Sequence, residues 1–501
     1  MIRTDPNMEG HITPLVETPR GRPDPEALMR AIAVRRALER TPPDFAFLLD
    51  QLLDPDPPVF DSALRALADL QPMTSLPERW LDADAPAASD RPDIPAWIQR
   101  AGAGWGRAGD FVDLCVLKLK QADPAQADVL IQRLARLPGI RRTLTARLRR
   151  NKGAALAWRF ARRAVAEHNR EFPKQVGLFP TLACQLHCGY CVSAGIALGS
   201  DNTMPLDALC RLIEWAHADG ARRFCVTGGE PTLYPHFAEM LSKAHAAGLE
   251  VVLATNGLGK REMIDAIIET RTESVTLHLA PETLGSDALY KKYSDTARRL
   301  IGAGLPVAMR CNLSTPEDDP LPFIQSAESL GFREMRMAVP IPNASRANQF
   351  VAVSELSRFG KAIDVFVSEA GRRGIDVKLA KPFPLCRMAE ETARHVIVNG
   401  SMSSNCQVAM QVFTHNLLVQ PDLTYSPCLA LSLKSNSSIL DRRGLHDASR
   451  PYRALVRLLL REPLLEACPF CPFFKGGRCV GACLSYRLET RENVEQLRRF
   501  G

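Results

Sequence analysis

Three cysteines stand close together in Cys184-Gln-Leu-His-Cys188-Gly-Tyr-Cys191, a C-x3-C-x2-C run. Three thiolates on one short loop can grip three irons of a cubane iron–sulfur cluster, leaving the fourth iron open to a small chelating molecule. Zinc is the competing reading. Three cysteines leave it one ligand short, and His187, which would fill that place, is wedged between two of them. A second group lies near the carboxyl terminus: Cys468-Pro-Phe-Cys471, then Cys479-Val-Gly-Ala-Cys483, with Cys386, Cys406 and Cys428 upstream. Of the 14 cysteines only Cys115 precedes position 184, so their distribution is uneven. The amino-terminal residues Met1-Ile2-Arg3-Thr4-Asp5-Pro6-Asn7 lack the apolar core of a signal peptide, and a cytoplasmic location is expected. There disulfides are disfavoured, and clustered cysteines point to metal or redox chemistry.

Other residues offer less. Thr227-Gly228-Gly229-Glu230-Pro231 places two glycines, which let a backbone approach a ligand closely, beside a carboxylate able to accept hydrogen bonds from an ammonium group. Glu282 falls just past a strand end; it is a candidate catalytic carboxylate, with a solvated acid or a helix cap as the plainer reading. The ten histidines form no H-E-x-x-H pair, and the chain has no Gly-Lys-Ser/Thr phosphate loop and no Gly-x-Ser-x-Gly elbow. Cys115, Cys210, Cys225 and Cys311 sit in helix or strand patterns and read as small buried apolar residues.

The elements that must position these residues follow from apolar periodicity. Strands are expected at Val176–Leu182, Arg223–Val226, Glu250–Ala254, Ser274–Leu279, Pro306–Cys311 and Glu334–Ala338, with helices at 205–219, 236–248, 260–270, 285–303 and 320–331. Alternating strands and helices of this length give parallel strands with right-handed crossovers, and ligands at the strands' carboxyl ends. Six units are too few to close an eight-stranded barrel. The expected fold is α/β, a partial (βα)6 barrel over residues 173–345, behind an all-helical region at 1–172 and ahead of a loop-rich, cysteine-rich domain at 346–501. A helix at about 353–373 and a strand near Ile375–Leu379 open that last domain.

With 46% hydrophobic and 24% charged residues, the composition is that of a globular protein, and no apolar run is long enough to span a membrane. The net charge is only +7, yet Arg133 to Lys174 holds 13 Lys/Arg and two Glu, a balance of +11. Such a run is a solvated helix face or a contact for an acidic peptide or nucleic acid.

The cysteine loop, with Tyr190 before its last cysteine and Gly-Gly-Glu-Pro after the next strand, resembles the radical SAM enzymes over about residues 175–345. The resemblance implies a 4Fe-4S cluster on Cys184, Cys188 and Cys191, with S-adenosylmethionine chelating its open iron. Gly228, Gly229 and Glu230 then match the turn that holds the methionine amine, and Tyr190 lies where the family packs the adenine. Asn256, in Thr255-Asn256-Gly257, also fits the pattern; Arg310 and Asn312 match it more loosely as cofactor neighbours. The chemistry implied is one-electron cleavage of the sulfonium, giving a carbon radical that takes hydrogen from substrate.

The carboxyl-terminal cysteines resemble the SPASM extension of those enzymes, which carries auxiliary iron–sulfur clusters. The spacing departs from it: seven residues separate Cys471 from Cys479 where the family usually has five, and the usual final cysteine is missing. Matching implies one auxiliary cluster on Cys386, Cys406, Cys428 and Cys483, and a second on Cys468, Cys471 and Cys479 with an open iron or a non-cysteine ligand. A single auxiliary cluster, or a zinc site on Cys468, Cys471, Cys479 and Cys483, are the alternatives. The resemblance points to modification of a peptide or protein side chain by crosslinking or oxidation, with flavodoxin or ferredoxin as electron donor and no membrane partner. A dehydrogenase or epimerase of small molecules, and an RNA-modifying enzyme using the basic run, are the rival activities; a non-enzymatic metal scaffold is the alternative outside catalysis.

Overall fold

The computed structural model describes residues 174–193, 202–398, 416–431, 433–460, 462–475 and 479–489, helix α1 (Pro124–Leu134), and scattered positions from 94 to 163. Apolar residues at three- and four-residue spacings predict helices at Leu28–Leu38, Phe45–Leu53, Val59–Leu70 and Phe111–Leu119; the first three, most of the Arg133–Lys174 run, and Cys406 lie outside the described residues. In the expected helix Phe111–Leu119, the described positions Cys115, Val116 and Leu119 are helical and buried.

Strands β1 (Gln175–Leu178), β2 (Arg223–Val226), β3 (Glu250–Thr255), β4 (Ser274–His278), β5 (Val307–Asn312) and β6 (Glu334–Ala338) fall on the six expected positions. Between them run α2 (Leu206–Ala218), α3 (Phe237–Ala246), α4 (Arg261–Glu269), the short α5 (Pro281–Leu284), α6 (Asp287–Gly302) and α7 (Leu321–Leu330). The sheet then continues beyond residue 345. After α8 (Leu356–Arg372), β7 (Asp376–Leu379) joins β6, and after α9 (Glu390–Val398), β8 (Asn416–Val419) pairs in parallel with β1 at the other edge. A two-residue strand, β9 (Tyr425–Ser426), pairs antiparallel with β8. Helices α10 (Leu445–Leu459) and α11 (Pro472–Lys475) follow.

The order is β7-β6-β5-β4-β3-β2-β1-β8-β9, so β7 and β9 are edges and the sheet stays open. The difference from six strands is one of sheet membership. β8 is only four residues long, and a parallel partner more than 200 residues away leaves no local signature.

Strands β2, β3, β6 and β7 alternate between buried and partly exposed positions. One face carries Leu253, Val275, Leu277, Met309, Cys311, Met335, Met337 and Val377, each at most 1% exposed, packed in one core with the helices. The other carries Glu250, Ser274, His278, Arg310, Glu334, Arg336 and Lys378, all partly exposed. Parallel strands covered on both faces read as nearly continuous apolar runs. Polar alternation therefore marks an inner face kept available for chemistry. Helix exits are set locally: α7 ends at Gly331, which takes φ 81°, and Phe332 then plugs into the core as the chain turns into β6.

Candidate functional site

The loop after β1 carries Cys184, Cys188 and Cys191 to the carboxyl end of the sheet. All three are partly exposed, and each thiol lies within electrostatic reach of the others. The amide of Cys191 donates to the Cys188 carbonyl at 3.0 Å, closing the last two cysteines into a turn. Burial raises the Cys184 thiol and pushes Cys188 up to about 11. A positively charged metal group bound there would reverse that preference, since thiolates are what it ligates. Three sulfurs on one partly open loop fit a cluster that keeps one corner for another molecule.

The loop is clamped from β6's far side by residues that sequence reasoning passed over. The Gln349 amide donates to the Gly189 carbonyl at 2.8 Å. Asn348 Nδ2 donates to the carbonyls of Tyr190 at 3.3 Å and Ile341 at 2.9 Å, and Asn343 Nδ2 donates to Val192 at 3.3 Å. Asn343 and Asn348 are both buried. Their available signal was position: two asparagines in Pro340-Ile-Pro-Asn-Ala-Ser-Arg-Ala-Asn348, at the carboxyl end of a barrel strand.

The glycines of the Gly-Gly-Glu turn lie against the chain's own backbone. A Cβ on Gly229 would lie 2.1 Å from the Ala183 carbonyl oxygen, and one on Gly228, at φ 145°, 2.7 Å from that of Thr181. The space the glycines free is filled by the cysteine loop itself. The amides of Gly229 and Glu230 donate to Thr181 and Ala183 at 3.1 and 2.7 Å. The Glu230 carboxylate is 1% exposed and turned inward. Its Oε1 accepts from Thr232 N at 3.1 Å, Thr232 Oγ1 at 2.6 Å and Thr255 Oγ1 at 2.6 Å, and its Oε2 accepts from Asn256 N at 2.8 Å. Burial raises its pKa despite those donors. The carboxylate thus ties the β2 turn to the β3 turn. Asn256 extends the tie, its Oδ1 accepting from Gln185 Nε2 of the cysteine loop at 3.2 Å and from Leu258 N at 2.9 Å.

Beside the loop, the Tyr190 hydroxyl lies 3.0 Å from Nε2 of His278, the last residue of β4, with the two rings edge to face. Asn312 also reaches the Tyr190 hydroxyl, whose pKa burial raises. His278 was not anticipated, although its place at a strand's carboxyl end is the signal. Burial, then the charge of Arg310, hold its pKa down to about 3, so it is neutral. Register places His278, Arg310, Arg336 and Lys378 in one row across β4 to β7. Glu334 binds both Arg336, at 2.7 Å, and Lys378, and Arg336 also donates to Thr276 Oγ1 at 3.0 Å. Arg310 has no carboxylate partner among the described residues; its Nε is buried without a hydrogen-bond acceptor, and burial lowers its pKa. Glu282 is exposed in the first turn of α5, near Cys188 and Tyr190.

The carboxyl-terminal cysteines form two groups. One apolar cavity is lined by Cys386, Cys468, Cys471 and Cys479 together with Ile94, Ile98 and Phe473. Cys483 belongs to a separate cluster with Ile341, Ala430 and Tyr486, against which Cys428 and Val192 pack. Cys483 is not among the residues that line that cavity. Cys386 lines the cavity with Cys468, Cys471 and Cys479, and Cys428 packs against the cluster that holds Cys483. No disulfide joins the described cysteines, and no three His, Cys, Asp or Glu among the described residues converge tightly enough to hold a lone metal ion.

Residues 178–320 match the model of the Radical SAM superfamily. GTP 3',8-cyclase of Helicobacter pylori (strain HPAG1) is 29% identical over 137 residues, 26% of this chain and 42% of its own length. PqqA peptide cyclase of Ruegeria pomeroyi is 26% identical over 167 residues, 32% of this chain and 45% of its own. The chain thus spans less than half the length of either relative. The crystal structure of Streptococcus suis SuiB superposes with a TM-score of 0.49 at 15% identity, covering 74% of this chain and 91% of that one. No helix among the described residues is long and apolar enough to cross a membrane.

Proposed function

Since residues 178–320 form a radical SAM domain, a fold whose enzymes use a 4Fe-4S cluster and S-adenosylmethionine, we propose that this chain modifies a side chain of a peptide or protein by hydrogen abstraction. The observation that carries the reading is the convergence of the Cys184, Cys188 and Cys191 thiols at the carboxyl end of β1, beside the polar inner face. These thiols would hold the cluster, which with S-adenosylmethionine supplies a radical able to abstract hydrogen from carbon. The rest is the protein's own work. Glu230 and Asn256 fix the turns around the loop, Asn343 and Asn348 hold its far side, and Tyr190 and neutral His278 wall it. Flavodoxin or ferredoxin is the proposed electron donor.

The peptide substrate is supported by the likeness to PqqA peptide cyclase and by the second set of cysteines beyond the matched domain. A small anionic molecule is the second reading, favoured by the row of Arg310, Arg336 and Lys378 and by the likeness to GTP 3',8-cyclase. Anaerobic incubation of reconstituted protein with S-adenosylmethionine and a reductant, followed by mass spectrometry, separates them. The expected result is 5'-deoxyadenosine together with peptides lighter by two hydrogens. Turnover of a metabolite alone would sink the peptide reading, and no 5'-deoxyadenosine would sink the class.

A further inference from the structure

We infer that Cys386, Cys468, Cys471 and Cys479 form one complete four-thiolate centre for an iron–sulfur cluster, with Cys386 supplying the fourth ligand from outside the carboxyl-terminal motif. Cys468, Cys471 and Cys479 are three of the four sulfurs that a fully ligated cubane cluster takes. The fold brings the fourth from 82 positions upstream of Cys468.

Three observations converge on this set. All four cysteines line a single cavity whose remaining walls are apolar: Ile94, Ile98, Leu385, Leu465, Phe473 and Phe474 among them. The thiol of Cys386 lies within electrostatic reach of Cys479, Cys471 and Cys468. The peptide geometry also aims the ligands. Cys468 opens a short turn in which the Cys471 amide donates to its carbonyl at 3.1 Å, and the Cys479 sulfur accepts from the Gly481 amide at 3.2 Å. Amide donors of this kind stabilise thiolate sulfur and the cluster it carries.

Helix α8 seats Cys386. At Gly360 a Cβ would come 1.6 Å from the Arg387 carbonyl oxygen, so the turn Leu385–Arg387 packs directly on bare helix backbone. Ile94 and Ile98, 3% and 1% exposed, roof the cavity from the amino-terminal part of the chain. A cluster with sulfur on every corner has no iron open to a substrate. This centre therefore differs in kind from the cysteine loop after β1. It also leaves Cys428 and Cys483 as a separate pair, closer to Val192 and the loop.

The inference deepens the proposed function, and its test is separated from that function by removing the loop ligands. In a Cys184→Ala/Cys188→Ala/Cys191→Ala background, iron and sulfide are counted after anaerobic reconstitution, with Mössbauer spectra, for Cys386→Ala, Cys479→Ala, Cys428→Ala and the pairs. Cys386→Ser serves alongside as the milder change. The expected result is that Cys386→Ala and Cys479→Ala remove the same iron, so that combining them removes no more, whereas Cys386→Ala and Cys428→Ala act on different iron or only the former removes any. The inference is overturned if Cys386→Ala shares its loss with Cys428→Ala instead, if neither Cys386 variant changes the iron content or spectra, or if zinc is bound in place of iron. Failure to cleave S-adenosylmethionine in the parent protein would leave these counts unaltered and bear only on the proposed function.

Discussion

The two cysteine regions solve opposite problems. After β1, three thiols come from eight consecutive residues, remain partly exposed and face the polar end of the sheet. Near the carboxyl terminus, four thiols come from two distant segments; Cys468, Cys471 and Cys479 are 6–8% exposed, and apolar side chains close around them. A contiguous loop can offer only the few ligands its length allows, and so leaves a position for another molecule. A site assembled by tertiary folding can complete its ligand set and exclude water. Both are seated by the same device, a glycine whose missing side chain lets backbone lie on backbone: Gly229 against Ala183, Gly360 against Arg387.

This contrast can be broken or sharpened by experiment. Cys184→Ala should have the largest effect, abolishing 5'-deoxyadenosine formation and removing about four irons per chain, while iron at the carboxyl-terminal site stays. Loss of all iron would show that the two regions are not independent. Next come the glycines. Gly229→Ala and Gly360→Ala should each destabilise the fold by about 1–3 kcal/mol or more, because backbone must move to admit the methyl group. Thermal unfolding should register both, but iron analysis should show Gly229→Ala impairing only the loop site and Gly360→Ala only the carboxyl-terminal one.

The smallest effect concerns the wall of the loop. His278 has its pKa lowered from the ordinary 6.5 to about 3, so its contribution is complete above about 6.5 and is lost as pH falls towards 3. In iron-free protein, His278→Gln should flatten the acid limb of stability measured by denaturant titration across that window. An unchanged limb would mean that His278 is not held neutral where it faces Tyr190 and Arg310.

Much of this architecture was legible beforehand. The six strands from β1 to β6 follow from short apolar runs between amphipathic stretches, because local periodicity reports which face is buried. The ligand loop was legible for the same reason, since C-x3-C-x2-C is complete within itself. The Gly-Gly-Glu turn was legible as a motif, but not its intrachain contacts: its glycines admit the chain's own loop, and its carboxylate accepts from Thr232, Thr255 and Asn256. His278, Asn343 and Asn348 were missed because one histidine and two asparagines have no spacing to betray them.

What the sequence determined alone is whatever is closed over a few residues: strand and helix periods, the three-cysteine loop, and the Cys468–Cys471 and Cys479–Cys483 pairs. What only the tertiary structure decided is which distant pieces meet. It brought β8 beside β1, set His278, Arg310, Arg336 and Lys378 in one row, and put Cys386 on the wall of a cavity shared with Cys468, Cys471 and Cys479. The physical reason is that such contacts are fixed by the packing of helices and strands around a shared core, whose partners are chosen by shape and burial rather than by distance along the chain.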